Sequence, residues 1–420
     1  MRILFITQWF DPEPGALRGL PLAKYLVRAG DEVQVLTGFP NYPGGKLYPG
    51  YKMRMWQREI MDGVPVLRVP LYPSHDNSAV RRVLNYSSFA LSAATLGTCL
   101  SGPADIVYVY HPPPTVALPG IVIKTIRRIP SVYHIADMWP ESVVESGMIP
   151  KGWAGRLAAA GLSAWCDFAY RHSDQITVLS PGFKRLLIER GVPESKIHVI
   201  YNWADEDAFR PVIRDGEVGR QVGLSETFNV VYAGNLGPFQ SLDTLIQAAA
   251  LLQDLARLRI VIVGTGQKEA ELKRLAGSLG LGNVVFMGRR EYWEMPDVYA
   301  LADVLLVHLR DLPFFAATIP SKTQVSMASG RPCLMAVRGD AANLIRTADA
   351  GLACEPEDPG AMAQTIRQFY QFPKDRLEQM GRNGREYYLR EMSLASGARR
   401  MRELFLRTSA PRLKASRARA

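Results

Sequence analysis

Phe228-Asn229-Val230-Val231-Tyr232-Ala233-Gly234-Asn235-Leu236-Gly237 decides the fold. The apolar, β-branched run reads as a buried strand, and the glycines end it in a tight loop. Ser241 is the expected N-cap of a helix with Leu242, Leu245, Ile246, Ala249 and Leu252 at helical spacing. Further strands are expected at 260–263, ending in Gly264-Thr265-Gly266, and at 284–287, ending in Gly288. Two more follow, at 304–309, ending in an irregular loop, and at 333–337, ending in Gly339. Strands alternating with helices predict a doubly wound parallel sheet. The same pattern has already run once upstream. A strand at 2–7, the loop Asp11-Pro12-Glu13-Pro14-Gly15, a helix over about 16–29 and a strand at 32–36 form a βαβ unit. Strands at 64–69, 106–110, 131–135, 175–179 and 198–201 continue it. Asn202, Asp205, Asp207 and Pro211 interrupt the periodicity and mark the joint. The expectation is an α/β chain of two facing, Rossmann-like, doubly wound domains. Ligands would bind in the cleft between them, at the carboxyl ends of both sheets.

Length and composition agree. A chain of 420 residues suggests two or three domains, and 47% apolar with 21% charged residues is globular composition. Cys99, Cys166, Cys333 and Cys354 are widely spaced, which excludes a disulfide scaffold or zinc ribbon and fits a reducing compartment. The formal charge of +10 is concentrated at the end: residues 399–420 hold eight basic side chains and one acid. That tail reads as a solvated end, an anchor on anionic lipid or a nucleic-acid contact. No cleavable leader is visible, and the uncharged stretch 83–104 is too polar to span a membrane. It reads as a packed core helix or, beside Arg81-Arg82, as a helix on an anionic interface.

The segment Ile319-Pro320-Ser321-Lys322-Thr323-Gln324 opens a short helix. Free amides at its start and a neighbouring ammonium make an anion site, if they are not simply a capped turn with a solvent lysine. The strand-end glycines Gly234, Gly237, Gly264, Gly266 and Gly339 would let backbone approach the same ligand. A P-loop motif is absent, and the third spaced glycine of a dinucleotide fingerprint is missing, so NTPase and hydride chemistry are disfavoured. In the first half, His134 to Ser142 places a histidine, Asp137, Trp139 and Glu141 at a strand's carboxyl end. His134 reads either as a satisfied core histidine or as a group that orients a hydroxyl. His111, before three prolines, ends another strand as a rigid loop or a cleft residue. The six histidines lack the pairing a metal site wants, so no metal is expected.

Taken together, these pieces resemble the GT4 (group 1) glycosyltransferases of the GT-B fold, nearest to the bacterial branch of colanic acid and fucosamine transferases. The likeness is carried by Gly15-Ala16 with Arg18, Leu36 to Pro43, Asp137-Met138-Trp139-Pro140-Glu141-Ser142, Tyr232 to Gly237, Ile262 to Gly266 and Pro320-Ser321-Lys322-Thr323. The resemblance implies a retaining, metal-independent enzyme with a nucleoside-diphosphate sugar, UDP- first, as donor and no tightly bound cofactor. It implies an acceptor-binding domain over 1–204 completed by a helix over about 385–408, a donor domain over 205–384, and a basic tail over 409–420. Donor contacts would be Gly234, Asn235, Gly237, Gln240, Gly264, Gly266, Gly288, Arg289, Ser321, Lys322 and Thr323. Catalytic candidates are His134, Asp137 and Lys322; acceptor-side candidates are Gly15, Ala16, Arg18, His111 and Glu141. The acceptor would be a polyprenyl-diphosphate-linked saccharide at the cytoplasmic face of the bacterial inner membrane, with no nucleic-acid partner. A nucleotide-sugar 2-epimerase or a non-catalytic partner subunit of the same fold are the alternatives. The family's paired glutamates are missing, Ala317 and Val325 standing at their places, and Asn235 and Gln240 replace its phosphate-binding cations.

Overall fold

The computed structural model describes residues 1–14, 19–75, 78–145, 148–149, 152–214 and 223–417. It divides into two compact units, Met1–Tyr201 with Gly397–Ala420, and Asn202–Ser396.

The first unit is built on eight strands. They are β1 (Arg2–Thr7), β2 (Glu32–Gly38), β3 (Gln57–Met61), β4 (Val64–Val69), β5 (Ile106–His111), β6 (Ser131–Ile135), β7 (Gln175–Val178) and β8 (Ile197–Val199). Their order is β3-β4-β2-β1-β5-β6-β7-β8. All neighbours are parallel except β3, which pairs antiparallel with β4. Ile3 lies opposite Val33 on one side and Ile106 on the other, so the order reverses between β1 and β5. The loops after those two strands flank the crevice where open α/β sheets bind ligands. Strand β3 is absent from the expectation because Gln57-Arg58-Glu59 on an exposed edge lacks an apolar face.

The second unit has six strands: β9 (Phe228–Ala233), β10 (Leu258–Val263), β11 (Val284–Gly288), β12 (Val304–His308), β13 (Cys333–Ala336) and β14 (Gly351–Ala353). The order β11-β10-β9-β12-β13-β14 is parallel throughout and reverses between β9 and β12. Val230, Ile260, Ile262, Leu306 and Leu334 pack against Leu245, Ile246, Met362, Ile366 and Phe369 to form its core. The two Rossmann-like sheets bear out the predicted fold class.

Two helical expectations change. The uncharged stretch 83–104 begins inside a helix from Ala79 to Ser92, continues as a π turn over Ala93–Gly97 and ends its helical course in a last turn over Thr98–Leu100. The single helix expected over about 385–408 is two, Lys374–Glu391 and Leu394–Arg417. Ser393 Oγ accepts the Ser396 N–H at 3.1 Å, and Glu206 accepts the Leu394 N–H at 2.7 Å. These bonds start a new helix where one continuous helix was expected. Residues 385–396 therefore belong to the second unit, and the first gains only 397–420. There Met401, Leu404 and Phe405 are buried, Phe405 lying 5.3 Å from the Tyr108 ring. Arg402 reaches Asp31 at 2.6 Å, and Asp31 also takes the N-terminal ammonium at 3.0 Å. The stretch expected as a basic tail, 409–420, is helical as far as Arg417.

Candidate active site

In the second unit, the strand-end loops are held by one tyrosine. Tyr232 is fully buried, and its hydroxyl donates to the Asn235 carbonyl at 2.7 Å, folding the loop after β9. The Lys322 ammonium sits over the same ring, 5.1 Å from its centroid. Gly234 makes this fit possible. Its φ of +147° is a region that L side chains rarely adopt, and a Cβ there would lie 2.4 Å from Lys322 Cε. Gly264 is tighter still, since a Cβ would lie 1.9 Å from the Gly234 carbonyl oxygen. Its N–H donates to the Gly288 carbonyl at 2.8 Å, joining the ends of β10 and β11.

Lys322 is half-buried at the start of the Ser321–Ala328 helix, and no carboxylate pairs with it among the described residues. Burial pulls its pKa below the ordinary lysine value. Pro320 occupies the N-cap without a side-chain cap, so the Ser321 and Lys322 amides have no acceptor among the described residues. Thr323 differs from expectation. Its N–H is taken by the Pro320 carbonyl at 2.9 Å and its side chain is fully buried. Gln240 also turns inward, its Oε1 accepting the Gly237 N–H at 3.1 Å, so it shapes the loop. Asn235 and Arg289 are exposed, and Gly266 is half-buried at the end of β10.

Several residues were not foreseen. Ser241 stands at the N-cap position but is left-handed (φ 42°), and its hydroxyl donates to Glu357 at 2.8 Å instead of capping the helix. Glu357 also accepts the Asp311 N–H at 2.7 Å, and its own N–H donates to His308 Nε2 at 3.2 Å. The rims after β9, β12 and β14 thus meet at one carboxylate. Burial pushes Glu357 up, but the Asp311 and Ser241 bonds and Arg310 outweigh it and hold it below the usual range. Burial lowers His308 to about 4, keeping its imidazole neutral.

In the first unit, Gly15, Ala16 and Arg18 lie outside the described residues. Next to them, buried Glu13 accepts the N–H groups of Asn41 and Tyr42 at 2.7 Å each and of Phe10 at 3.1 Å. Burial raises its carboxyl to about 7 against those bonds. Arg68, fully buried, pairs with Glu59 at 2.5 Å and donates to the Gly38 and Asp11 carbonyls. Together they brace the loops after β1 and β2. An arginine inside the apolar run Val64–Val69 was the visible signal; nothing in sequence marked Glu13.

His134 is a correction. It is 0% exposed within β6, stacked on Tyr110 at 5.2 Å and hydrogen-bonded through Nδ1 to Thr177 at 2.7 Å. Its packing is that of a core residue and leaves no surface for a sugar. Glu141 is likewise committed, as an ion pair with Arg190. Asp137 is half-buried and accepts the Trp139 indole N–H at 3.2 Å; burial raises its carboxyl above the usual range. His111 is buried at the end of β5, and its Nδ1 has no partner among the described residues.

Two family models divide the chain much as the two sheets do. Residues 18–203 match a glycosyl transferase 4-like domain and residues 227–371 match glycosyl transferases group 1. The chain belongs to the GT4-like, group 1 glycosyltransferases. This glycosyltransferase is 28% identical to a putative colanic acid biosynthesis glycosyl transferase of Escherichia coli, covering 89% of this chain and 93% of that one. It is 28% identical to a D-inositol 3-phosphate glycosyltransferase of Catenulispora acidiphila, covering 74% and 73%. The solved structure of Anabaena HepE with UDP and glucose matches the fold with a TM-score of 0.68, at 18% identity over 96% of this chain and 98% of that one. These likenesses make the fold GT-B and the protein an enzyme of sugar transfer.

Proposed function

We propose that this glycosyltransferase moves a sugar, with retention, from a nucleoside-diphosphate sugar to a saccharide carried on polyprenyl diphosphate. The place is the assembly of a bacterial surface polysaccharide. One observation carries the donor assignment: the half-buried Lys322 ammonium, with no carboxylate partner among the described residues, beside two free helix amides and the Gly234 loop. A cation held this way is suited to an anion with closely spaced charges. UDP is the first nucleotide to test, since HepE binds it.

The reaction then follows. The bond from the anomeric carbon to the β-phosphate oxygen breaks, and its electron pair goes to the departing diphosphate. Lys322 and the Ser321 and Lys322 amides stabilise that growing charge more than the ground state, which is what lowers the barrier. The cation at the leaving group is Lys322 in this reading, with no resident metal invoked. The acceptor oxygen bonds to the anomeric carbon on the face the diphosphate leaves, and the hydroxyl proton passes to the departing phosphate oxygen. Asp137, whose carboxyl burial makes more basic, orients that hydroxyl.

Attachment to the cytoplasmic face of the membrane is part of the proposal. Val80, Val83, Leu84 and Leu91 are exposed on the Ala79–Ser92 helix beside exposed Arg81. The basic side chains of Lys124 and Arg127 contribute little, being committed within the first unit. Lys124 pairs with Asp174 at 2.8 Å, and Arg127 donates to the Thr98, Ser101 and Gly102 carbonyls. Among the described residues, no helix is long and apolar enough to cross a membrane.

The test is a mass-spectrometric screen of UDP-, GDP- and dTDP-sugars for binding, followed by transfer to lipid-linked acceptors. Binding of one nucleotide sugar, and a product with the donor's anomeric configuration by NMR coupling, are expected. Conversion of the donor without acceptor, or inversion, contradicts the reading.

A further inference from the structure

The carboxyl end of the first sheet carries aromatic rings at successive strand ends. Trp9 follows β1, Tyr42 follows β2 and His75 follows β4. Tyr86 stands on the Ala79–Ser92 helix, His111 ends β5 and Trp139 follows β6. They form a chain. Tyr42 lies 4.6 Å from His75 and 5.0 Å from Trp9, and Trp9 lies 6.2 Å from Tyr86. Tyr86 lies 6.5 Å from Trp139, which meets His111 at 6.0 Å. The core aromatics of this unit, such as Phe5, Phe10 and Phe89, are fully buried. Trp9, Tyr42, His75, Tyr86 and Trp139 are only half-buried. Rings left part-exposed side by side at the ligand-binding end of a doubly wound sheet offer apolar faces to a ligand.

We propose that this aromatic floor binds a pyranose ring of the acceptor by stacking against its C–H face. The choice of a sugar over an isoprenoid chain rests on the polar groups among the rings. Tyr42 and Tyr86 carry hydroxyls, the Trp139 N–H is bound to the half-buried Asp137 carboxylate, and His111 Nδ1 lacks a partner among the described residues. Behind the floor, the Gln8 amide donates to Asn85 at 2.6 Å, and Asn85 donates to Asn41 at 3.3 Å. A pyranose has a C–H face for the rings and a hydroxyl edge for the half-buried Tyr42, Tyr86 and Asp137 polar groups, whereas a hydrocarbon chain would desolvate those groups without offering a partner. The role as acceptor site rests on the proposed function; the saccharide binding itself does not.

Saturation-transfer difference NMR on the full chain tests it. The probes are methyl α-D-glucoside, methyl α-D-galactoside and methyl α-D-mannoside, with geranyl diphosphate as competitor. Irradiating the aromatic protons is expected to saturate the C–H protons of one ring face in at least one glycoside. Trp9→Leu and Tyr86→Leu, checked for folding by thermal melting, are expected to weaken that binding roughly tenfold, as for loss of one large apolar contact. No transfer to any glycoside, an unchanged signal in both variants, or a signal abolished by geranyl diphosphate overturns the assignment. Nucleotide-sugar binding is measured on the same samples. Its absence in wild type would count against the proposed function, while its presence without glycoside saturation would count against the aromatic floor alone.

Discussion

In the proposed reaction Lys322 stabilises the departing diphosphate, so its removal should be felt in turnover. Lys322→Ala is expected to lower kcat by at least tenfold, toward the roughly 10²–10³ seen when one charge-stabilising donor is lost. The fold should persist, because the ammonium lies over the Tyr232 ring beside Gly234 and no carboxylate pairs with it among the described residues; steady-state kinetics beside a melting curve check both. Gly264 is the opposite case. Gly264→Ala at φ +132° places a Cβ against the Gly234 carbonyl, and the backbone conformation alone costs about 1–3 kcal/mol. A fall in melting temperature and lost donor binding are expected together. Glu13 gives a pH signature. Its folded pKa of about 7 lies above the ordinary glutamate value, so the protonated form is favoured in the fold. Its stabilising contribution is full below the ordinary value and is lost as pH rises through about 7. The denaturation midpoint of wild type relative to Glu13→Gln should therefore fall between about pH 4.5 and pH 7. Lys322 was legible in sequence because a lysine beside Pro320-Ser321 at a helix start is a local pattern. Glu13 and Glu357 were not, because their partners come from other loops.

Strands β1, β4, β6 and β9 stand where the apolar runs put them, each a largely buried strand bounded by turn residues. Strands β3 and β14 escape that reading for two reasons. The first is an exposed, polar edge, and Gly351–Ala353 is too short to show any period. The break between the last two helices was equally hidden, since Glu206 reaches Leu394 from far along the chain. Strand β4 carries the strongest demand on a single side chain. Arg68 is fully buried and joins Glu59, Gly38 and Asp11, tying β3, β2 and the loop after β1 together. Removing one partner of such a pair leaves the other charge uncompensated. Arg68→Met is expected to destabilise the first unit by about 3–5 kcal/mol, read from chemical denaturation. An unchanged midpoint would mean that the brace is dispensable.

Both sheets are doubly wound, and the family models fall on them in turn. That division into two units was readable because each half repeats a strand–helix alternation that depends only on local periodicity. His134 shows where such reading fails. A histidine before Ile135-Ala136-Asp137 looks like a strand-end group, yet Thr177 and Tyr110 take it into the core. The formal charge of +10 and the exposed Val80, Val83 and Leu84 predict a surface-bound enzyme. It should sediment with anionic liposomes at low salt, release as salt rises and bind less as Val83→Asp. The central claim, that the later sheet holds a nucleoside diphosphate through Lys322 and main-chain amides, is tested most directly by calorimetric titration of UDP and UDP-sugars into wild type and Lys322→Ala. Binding in wild type, weakened at least tenfold in a variant that melts normally, is the predicted result. Equal affinity in the two proteins would contradict it.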